Sequence, residues 1–263
     1  MTPLHDALSV LLGSLVGFSL GLIGGGGSIL TVPLLVYVLG ESVSSAIGTS
    51  LAIVGLNALA GFLGHWRERR VRLQTGLAFG AVGTAGAFLG TWLGHFLPAR
   101  EILFLFALLM IVAALAMVRR TEPALVPLQE GVNEDAYSTD DRGRVLVAGV
   151  GVGVLTGFFG VGGGFVVVPA LVIVLGLPMR LAVGTSLLII AINSAAGLIA
   201  HLHYGTISLA TTLLFAAGGM VGTVLGTRLA GRVPEPQLRR IFAYGMVVVA
   251  LYLLVKDHPA VVI

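Results

Sequence analysis

The stretch that decides the fold is Gly21-Leu-Ile-Gly-Gly-Gly-Gly-Ser-Ile-Leu-Thr-Val-Pro33, and a second copy follows as Gly157-Phe-Phe-Gly-Val-Gly-Gly-Gly-Phe-Val-Val-Val-Pro169. From position 21 to position 157 the offset is 136, and the same offset aligns most of the chain without a gap. The aligned residues include Gly48-Thr49-Ser50-Leu51 on Gly184-Thr185-Ser186-Leu187, and Asn57, Gly61 and His65 on Asn193, Gly197 and His201. Such a long register predicts that the chain consists of two copies of one unit.

The composition places both units in a lipid bilayer. Hydrophobic residues make up 57% of the chain and charged residues only 10%, whereas a soluble domain carries about 25% charged residues. The 38 glycines lie inside apolar runs, as membrane helices allow, because glycine lets helix backbones approach closely. The chain has no cysteine, which excludes disulfides and thiolate metal ligands. The net charge of +3 comes with arginines at the ends of apolar segments and does not indicate a nucleic-acid partner.

Apolar runs bounded by Gly, Pro and Arg predict ten segments, five in each half. They are Leu8–Ile23, Ile29–Leu39, Val43–Gly64, Leu73–Phe96 and Ile102–Val118, then Val145–Phe159, Phe165–Leu177, Leu181–Ala200, Ile207–Leu229 and Leu238–Val255. The predicted units are a first transmembrane repeat, 1–118, a polar cytoplasmic linker, 119–144, and a second transmembrane repeat, 145–263. The N-terminus lacks the basic region of a secretory signal, so the first segment is expected to stay in the membrane.

The lengths of the segments predict the fold class. A helical span needs about 20 apolar residues, and the third, fourth and fifth segments of each half roughly meet that length. The first two of each half are short and are joined by a glycine-rich hinge. We therefore predict an all-α integral membrane protein with about eight to ten membrane helices.

The distribution of arginine predicts how the halves are oriented. The loop Trp66–Arg72 carries four arginines, whereas its counterpart Leu202–Ser208 carries no Lys or Arg. The next loop reverses this, with only Arg100 near Pro98 but four arginines around Pro234. Because Lys and Arg collect on the cytoplasmic side, matching loops should lie on opposite faces, as in an inverted repeat. If the first two segments of each half form a hairpin or two short tilted spans, every basic loop and the linker lie inside and both termini outside.

The two glycine-rich hinges are the predicted substrate site. A run of glycines is a poor helix, at about 1 kcal/mol per glycine relative to alanine, and irregular backbone at membrane depth lasts only inside protein or against a water-filled cavity. A new helix should begin after each hinge, at Ile29 and Phe165, with free N–H groups that carry partial positive charge. Such an end can bind an anion, and the two could converge near the midplane. The residues assigned to substrate are Gly24, Gly25, Gly26, Gly27, Ser28, Gly160, Gly162, Gly163 and Gly164.

Close helix packing is the alternative role for glycine in a span, and we prefer it for Gly17 and Gly21 and for Gly86, Gly90 and Gly94. A nucleotide-binding fingerprint would need a strand–turn–helix context that the surrounding segments do not support. The chain also has no Gly-x-x-x-x-Gly-Lys-Ser/Thr loop, so it is not expected to hydrolyse ATP.

Polar side chains recur along one face of the third segment of each half. They are Thr49, Ser50 and Asn57 in the first half and Thr185, Ser186 and Asn193 in the second. Polar side chains in spans usually face the bundle interior, and Asn and Ser can donate hydrogen bonds to an oxyanion. Interhelical hydrogen bonding is the alternative, equally weighted for the two threonines, while the two asparagines favour substrate contact.

Two histidines end the same segments, and His65 and His201 are candidates for a proton relay, although an interfacial role is more common for a histidine at a span end. His201 and His203 have no acid nearby, so we predict no metal site, and no cofactor is expected. Glu41, Glu68 and Glu101 lie at segment ends, which argues against a cation pathway lined by carboxylates. A membrane-embedded enzyme would need paired carboxylates, a metal cluster or a nucleophile–base pair, and the spans offer none.

The doubled motif resembles the sulfite exporter TauE/SafE family, also called the toluene sulfonate uptake permease family. The resemblance rests on residues 21–33 with Ala46-Ile-Gly-Thr-Ser50 and on residues 157–169 with Ala182-Val-Gly-Thr-Ser186, and it covers nearly the whole chain except the linker. It implies a secondary transporter of sulfite or a small organosulfonate. Export and uptake both occur in the family, so the resemblance does not imply a direction, and export is the direction that we predict. The hinge chemistry by itself implies only an anion.

Several functions therefore stay open at this point. The leading hypothesis is alternating access by a secondary transporter in the bacterial cytoplasmic (inner) membrane. A transporter or channel for another small organic anion, such as a carboxylate, is the alternative, and a non-transporting scaffold would not need matched hinges. The expected partners are the anionic substrate and the lipid bilayer, with a homodimer left open and no nucleic acid.

Overall fold

The computed structural model describes residues 3–94, 96, 99–119, 139–159, 164–201 and 207–256. Within these residues the chain forms ten α-helices and one short 3-10 turn, and no strand. The helices are α1 Pro3–Ile23, α2 Ser28–Tyr37, α3 Val43–Arg67, α4 Leu73–Gly94, α5 Ala99–Arg119, α6 Thr139–Phe159, α7 Gly164–Ile173, α8 Met179–His201, α9 Leu209–Ala230 and α10 Glu235–Lys256. The predicted all-α class is confirmed.

Four of these helices are long and apolar enough to cross a membrane, over His5–Ile23, Ser45–Arg67, Met179–Ile199 and Leu209–Ala230. Shorter apolar helices cover Phe104–Arg119 and Val145–Thr156. Large apolar side chains also cover the outside of the bundle, among them Leu11, Phe88 and Val147. In water such a surface would be unfavourable, whereas in lipid it is the expected one. The protein is therefore an integral membrane protein with several membrane helices.

The first helix of each half is longer than its apolar run. The second segment of each half is short as predicted, since α2 and α7 have ten residues each. The first segment differs between the halves: α1 contains a 19-residue apolar span, His5–Ile23, whereas the apolar part of the 21-residue α6 is the short Val145–Thr156. The run was counted from Leu8, but α1 begins at Pro3 and carries Asp6 in its first turn. Pro at the first helical position and an acid in the first turn are ordinary features of a helix N-terminus. Likewise, α6 begins at Thr139, inside the range assigned to the polar linker, whose residues 120–138 lie outside the described part.

The helix boundaries repeat at the offset found in the sequence. Helix α1 covers 3–23 and α6 covers 139–159, so both ends are shifted by 136, and the same shift relates α2 to α7 and α4 to α9. The contacts repeat as well, because α1 packs most extensively on α9 and its counterpart α6 packs on α4. Two closely packed pairs result, α1 with α9 and α4 with α6, and each pair takes one helix from each half.

Glycine residues allow the backbones of the two helices in each pair to approach each other closely. A Cβ on Gly17 would clash with the carbonyl oxygen of Gly219, and one on Gly21 would clash with that of Thr223. The residue numbers of the contacting positions increase in the same direction along both helices, so α1 and α9 run parallel. In the pair of α4 with α6, a Cβ on Gly86 would stand 2.6 Å from the oxygen of Val150. The geometry agrees with the packing role preferred for Gly17, Gly21, Gly86 and Gly90, as expected for helices in lipid that associate through small residues.

The central helices α3 and α8 pack against each other with opposite directions. A Cβ on Gly55 would lie 3.2 Å from the Cβ of Ser194, while one on Gly61 would lie 3.0 Å from Leu187. Residue numbers that increase along α3 are therefore matched by residue numbers that decrease along α8, so the two helices are antiparallel. These two helices are counterparts at the offset of 136, so the two halves cross antiparallel at the centre of the bundle.

Two histidine contacts show that α1 and α2 form a hairpin beside α3. His5 Nε2 lies 3.2 Å from the carbonyl oxygen of Leu39, just before α3 begins. His65 Nε2, near the end of α3, lies 3.2 Å from the carbonyl oxygen of Gly21, near the end of α1. Helix α1 therefore runs parallel to α3, and α2 returns between them. This is the hairpin arrangement expected from the distribution of charge.

Candidate functional site

The first hinge is a sharp reversal that only glycine fits easily. Gly24 has φ +82 and ψ −120, a conformation that disfavours a side chain, and its N–H donates to Leu20 O at 2.8 Å. Gly25–Gly27 then form a 3-10 turn, and α2 begins at Ser28, one residue before the predicted Ile29. A Cβ on Gly27 would stand 2.9 Å from the backbone nitrogen of Leu20. The returning chain is therefore pressed directly against α1.

The two hinges meet each other. A Cβ on Gly164 would lie 2.9 Å from Gly25 Cα and 2.9 Å from Ser28 Oγ. Gly164 is the counterpart of Ser28, so the first residues of α2 and α7 contact each other across the relation between the halves. Helix α7 begins at Gly164, one residue before the predicted Phe165. Gly160, Gly162 and Gly163 lie outside the described residues, so the second hinge is represented here by Gly164 alone.

Two helix N-termini that face each other create a centre of positive potential. Each end carries roughly half a positive charge, and an anion about 4 Å from one end gains about 2 kcal/mol at an effective dielectric of about 20. The buried polar side chains among the described residues are Ser, Thr, Asn and one His, without a carboxylate or a Lys or Arg. The N–H of Ser28 donates to Gly25 O within the 3-10 turn. The partial positive charges of the α2 and α7 N-termini are therefore the positive potential that the buried part of the described residues offers an anion.

Three predicted serine hydroxyls are buried and already donate to backbone oxygens: those of Ser28 and Ser186, which lie beside the first hinge, and that of Ser50 in α3. Ser28 Oγ donates to Gly25 O at 2.7 Å, Ser186 Oγ to Val183 O at 2.8 Å, and Ser50 Oγ to Ile47 O at 2.8 Å. Ser186 is also the nearest polar group to the reversal, because a Cβ on Gly24 would stand 2.6 Å from its Oγ. To donate to an anion, these hydroxyls would have to rotate away from their carbonyl oxygens.

The two threonines join the halves. Thr185 Oγ1 accepts a hydrogen bond of 3.0 Å from the backbone N–H of Arg72, just before α4. Thr49 Oγ1 accepts one of 3.2 Å from the backbone N–H of Ser208, just before α9. Both acceptors are fully buried, and each bond crosses from one half to the other. Of the two roles weighed for these threonines, the described contacts are those of interhelical hydrogen bonding.

The two asparagines occupy matching but unequal positions. Asn193 Oδ1 accepts a hydrogen bond of 3.1 Å from Thr84 Oγ1. Asn57 is fully buried against the backbone of Gly219, and neither its Oδ1 nor its Nδ2 has a hydrogen-bond partner within the described part of the chain. Neither asparagine contacts the hinges in the described geometry. The structure therefore brings together the hinge residues and Ser186, and places the asparagines in separate helix interfaces.

His65 stabilises the end of α1. Its ring is buried, and Nε2 lies within hydrogen-bond distance of Gly21 O, which fits a neutral tautomer with the proton on Nε2. The side chain of His201, the other predicted member of the proton relay, lies outside the described residues. The described residues include no group of three or more His, Cys, Asp or Glu that could hold a metal ion.

One role of the repeated Gly-Thr-Ser triplet was missed by sequence reasoning. A Cβ on Gly184 would clash with the carbonyl oxygen of Arg70, so this glycine makes room for the loop between α3 and α4. Thr185 then binds Arg72, and Ser186 lies against Gly24. The triplet therefore docks a loop of the other half and supports the hinge at the same time. The sequence signal was its recurrence, but its partner lies 113 residues away.

Comparisons with known proteins agree with this architecture. The sequence model of the family described as Sulfite exporter TauE/SafE matches residues 9–253. A probable membrane transporter protein of Xylella fastidiosa (strain Temecula1) is 39% identical over 95% of both chains. The probable membrane transporter protein YdhB of Bacillus subtilis is 30% identical, over 94% of this chain and 99% of its own. No solved structure matches the chain.

Proposed function

This chain belongs to the sulfite exporter TauE/SafE family and is a membrane transporter, and on that premise we propose that it carries small sulfur-containing anions, sulfite or an organosulfonate, out of the cell. The observation that carries the proposal is the meeting of the α2 and α7 N-termini at Ser28 and Gly164. Oriented N–H groups at helix ends are a recurrent way to bind oxyanions. Sulfite and sulfonates present three oxygens that such groups can reach.

The proposed binding residues are those around this meeting point. They comprise Gly24, Gly25, Gly26, Gly27 and Ser28 on the first hinge, Gly160, Gly162, Gly163 and Gly164 on the second, Ser186, which lies against Gly24, and Ser50, the counterpart of Ser186 in the first half. Thr49 and Thr185 support these residues from the neighbouring helices. Asn57 and Asn193 would reach the substrate only in another conformation.

The mechanism follows from the relation between the halves. We take the halves to be an inverted repeat, which the antiparallel crossing of α3 and α8 and the reciprocal packing of α1 on α9 and α6 on α4 support. In such a protein, rocking of one unit against the other exposes a central site to each side in turn. The arginine-rich loops support an inverted arrangement as well. Arg70, in the loop between α3 and α4, lies against Gly231, in the turn between α9 and α10, so both loops are at the same end of the bundle. That end faces the cytoplasm of a bacterial inner membrane in this proposal.

A carboxylate or another small organic anion is the second candidate, because helix ends recognise charge more strongly than shape. No carboxylate is among the buried side chains that the structure describes, which favours an anion of either kind over a cation. A channel would use the same site without alternation. Saturable flux that responds to an opposing gradient of the same anion distinguishes a transporter from a channel.

The experiment is a flux measurement in proteoliposomes made from the full chain. Sulfite uptake is followed with taurine, methanesulfonate, sulfate and acetate as competitors. Saturable sulfite flux that methanesulfonate inhibits and acetate does not would support the sulfur-anion assignment. Flux of acetate without flux of sulfite would replace that assignment by the carboxylate alternative. Transport by Gly164→Leu protein at the wild-type rate would remove the hinges from the site.

A further inference from the structure

The turn between α9 and α10, residues 231–234, is surrounded by arginines from other parts of the chain. Arg70, in the loop between α3 and α4, places Nη1 and Nη2 at 2.6 and 2.7 Å from where a Cβ on Gly231 would stand. Arg180, in the first turn of α8, donates from Nη2 to Val233 O at 3.1 Å. Arg239 lies about one helical turn after Glu235 on the same face of α10, and Glu235 accepts a hydrogen bond from the backbone N–H of Arg180. We name Arg70, Arg180 and Arg239 the arginine cluster.

The cluster has hydrogen-bond donors left over. Arg180 Nε and Arg239 Nε are both buried, and neither has a hydrogen-bond partner among the residues that the structure describes. Arg70 Nη1 pairs with Glu68 Oε2 at 2.5 Å, so the donors without a partner in the described part of the chain are those of Arg180 and Arg239. A buried donor without an acceptor is unfavourable, more so when it belongs to a charged group. Within the described residues, the cluster therefore has two buried guanidinium donors that could bind a further acceptor.

Two glutamates do not neutralise this region. Glu68 pairs with Arg70, and Glu235 Oε1 accepts a hydrogen bond of 3.1 Å from the backbone N–H of Arg180. Against these two acids stand the three arginines of the cluster and Arg232 in the turn itself, so the region keeps an excess of positive charge. An acceptor that completes it should carry negative charge and several oxygens.

The position of the cluster identifies the source of such a group. It lies at the arginine-rich end of the bundle, where α9 ends and α10 begins. On the outer surface next to it, Leu225, Leu229 and Ile241 are exposed, which is the surface that acyl chains cover in a bilayer. A ligand with a negatively charged head and apolar tails would contact both the arginines and this surface.

We propose that the arginine cluster binds the phosphate group of an anionic phospholipid from the cytoplasmic leaflet. Guanidinium groups bind phosphate oxygens with paired, charge-assisted hydrogen bonds, and basic pockets between helices on the cytoplasmic side are typical sites for lipid head groups. The lipid joins α8 and α10 of the second half to the α3–α4 loop of the first. It would therefore stabilise the same end of α8 that carries Thr185 and Ser186. This site is distinct from the hinges and does not depend on the identity of the substrate.

The test compares lipid-dependent stability in matched variants of the full chain. Wild type, Arg180→Gln, Arg239→Gln and Arg119→Gln are placed in phosphatidylcholine nanodiscs with an increasing share of phosphatidylglycerol, and the unfolding midpoint is measured. Arg119 is the control, because it is an exposed arginine at the end of α5 and its replacement removes the same charge elsewhere. Each variant is compared with itself in pure phosphatidylcholine, so a general loss of stability does not affect the result.

Phosphatidylglycerol should raise the midpoint of wild type and of Arg119→Gln. Loss of a charged hydrogen bond should weaken lipid binding by about tenfold in Arg180→Gln and in Arg239→Gln. Equal shifts in all four proteins, or an equal loss in Arg119→Gln, would overturn the proposal. Sodium phosphate in pure phosphatidylcholine is the last arm, and a shift as large as that from the lipid would overturn a lipid as the source.

Discussion

A single methyl group at position 164 tests whether the meeting of α2 and α7 binds the substrate. In Gly164→Ala, the new Cβ would stand 2.9 Å from Gly25 Cα, whereas an ordinary contact is at least 3.4 Å. The two helix ends must therefore separate by about 0.5 Å or more, which in a packed interior costs about 1–3 kcal/mol. The separation moves one helix end away from the point where the two ends meet, which is where the anion is proposed to bind.

The expected effect on transport follows from the electrostatics of the site. If one of the two helix ends no longer contacts the anion, about 2 kcal/mol of attraction is lost. This corresponds to about a 30-fold rise in the concentration of substrate needed for half-maximal flux. The assay is initial sulfite flux into proteoliposomes over a range of concentrations, with the amount of inserted protein measured in each preparation.

The matched control is Gly151→Ala in α6, because a Cβ at position 151 meets no atom within 4 Å. This variant has the same change in composition and should transport like wild type. If Gly164→Ala is inserted and folded and keeps the wild-type concentration dependence, the helix ends do not bind the substrate. Equal impairment of both variants would show that added methyl groups act on stability and not on the site.

Three further predictions test the packing, the orientation and the charge preference. Gly17→Ala should lower the free energy of unfolding by about 1–3 kcal/mol, because its Cβ would clash with the backbone oxygen of Gly219; an unfolding midpoint equal to that of Gly151→Ala would contradict the close packing of α1 on α9. Arg69→Cys should be labelled by a membrane-impermeant thiol reagent only from the cytoplasm and Ser42→Cys only from outside, and labelling of both from one side would disprove the proposed topology. Because two helix ends supply about one positive charge in total, a monoanionic head such as methanesulfonate should compete with sulfite better than dianionic sulfate does, and stronger inhibition by sulfate would contradict a site built from backbone alone.

The sequence was sufficient to predict the class of fold and, to within one residue, where α2 begins after the first hinge. Hydropathy and glycine content identified membrane helices, because lipid leaves few alternatives for apolar segments. The offset of 136 also predicted equivalent helices, whose ends repeat at the same spacing. The start of α1 was less predictable, because Pro3 and Asp6 look like a polar terminus in composition but are favourable at the start of a helix.

Contacts between distant positions could not be predicted in the same way. Nothing near Thr185 indicates that its partner is the backbone of Arg72, because a buried threonine in a span can bond to substrate or to another helix with equal ease. The docking of Arg70 on Gly184 and Gly231 depends likewise on three elements that are far apart in the chain. The break in the helix at the first hinge was easier to predict, because four consecutive glycines disfavour a helix regardless of which residues they contact.

The differences between the two halves are informative because the rest repeats so closely. Thr84 donates to Asn193 Oδ1, but Met220 stands at the position equivalent to Thr84, and Asn57 has no hydrogen-bond partner for its amide within the described residues. We therefore predict that Met220→Thr gives Asn57 the missing partner and raises the free energy of unfolding by about 1 kcal/mol. Met220→Val is the control, because valine has nearly the shape of threonine but lacks its hydroxyl. Thermal unfolding of both variants measures the difference in stability. If the two variants unfold at the same temperature, Asn57 is satisfied by other means, and the inequality of the two asparagines does not distinguish the halves.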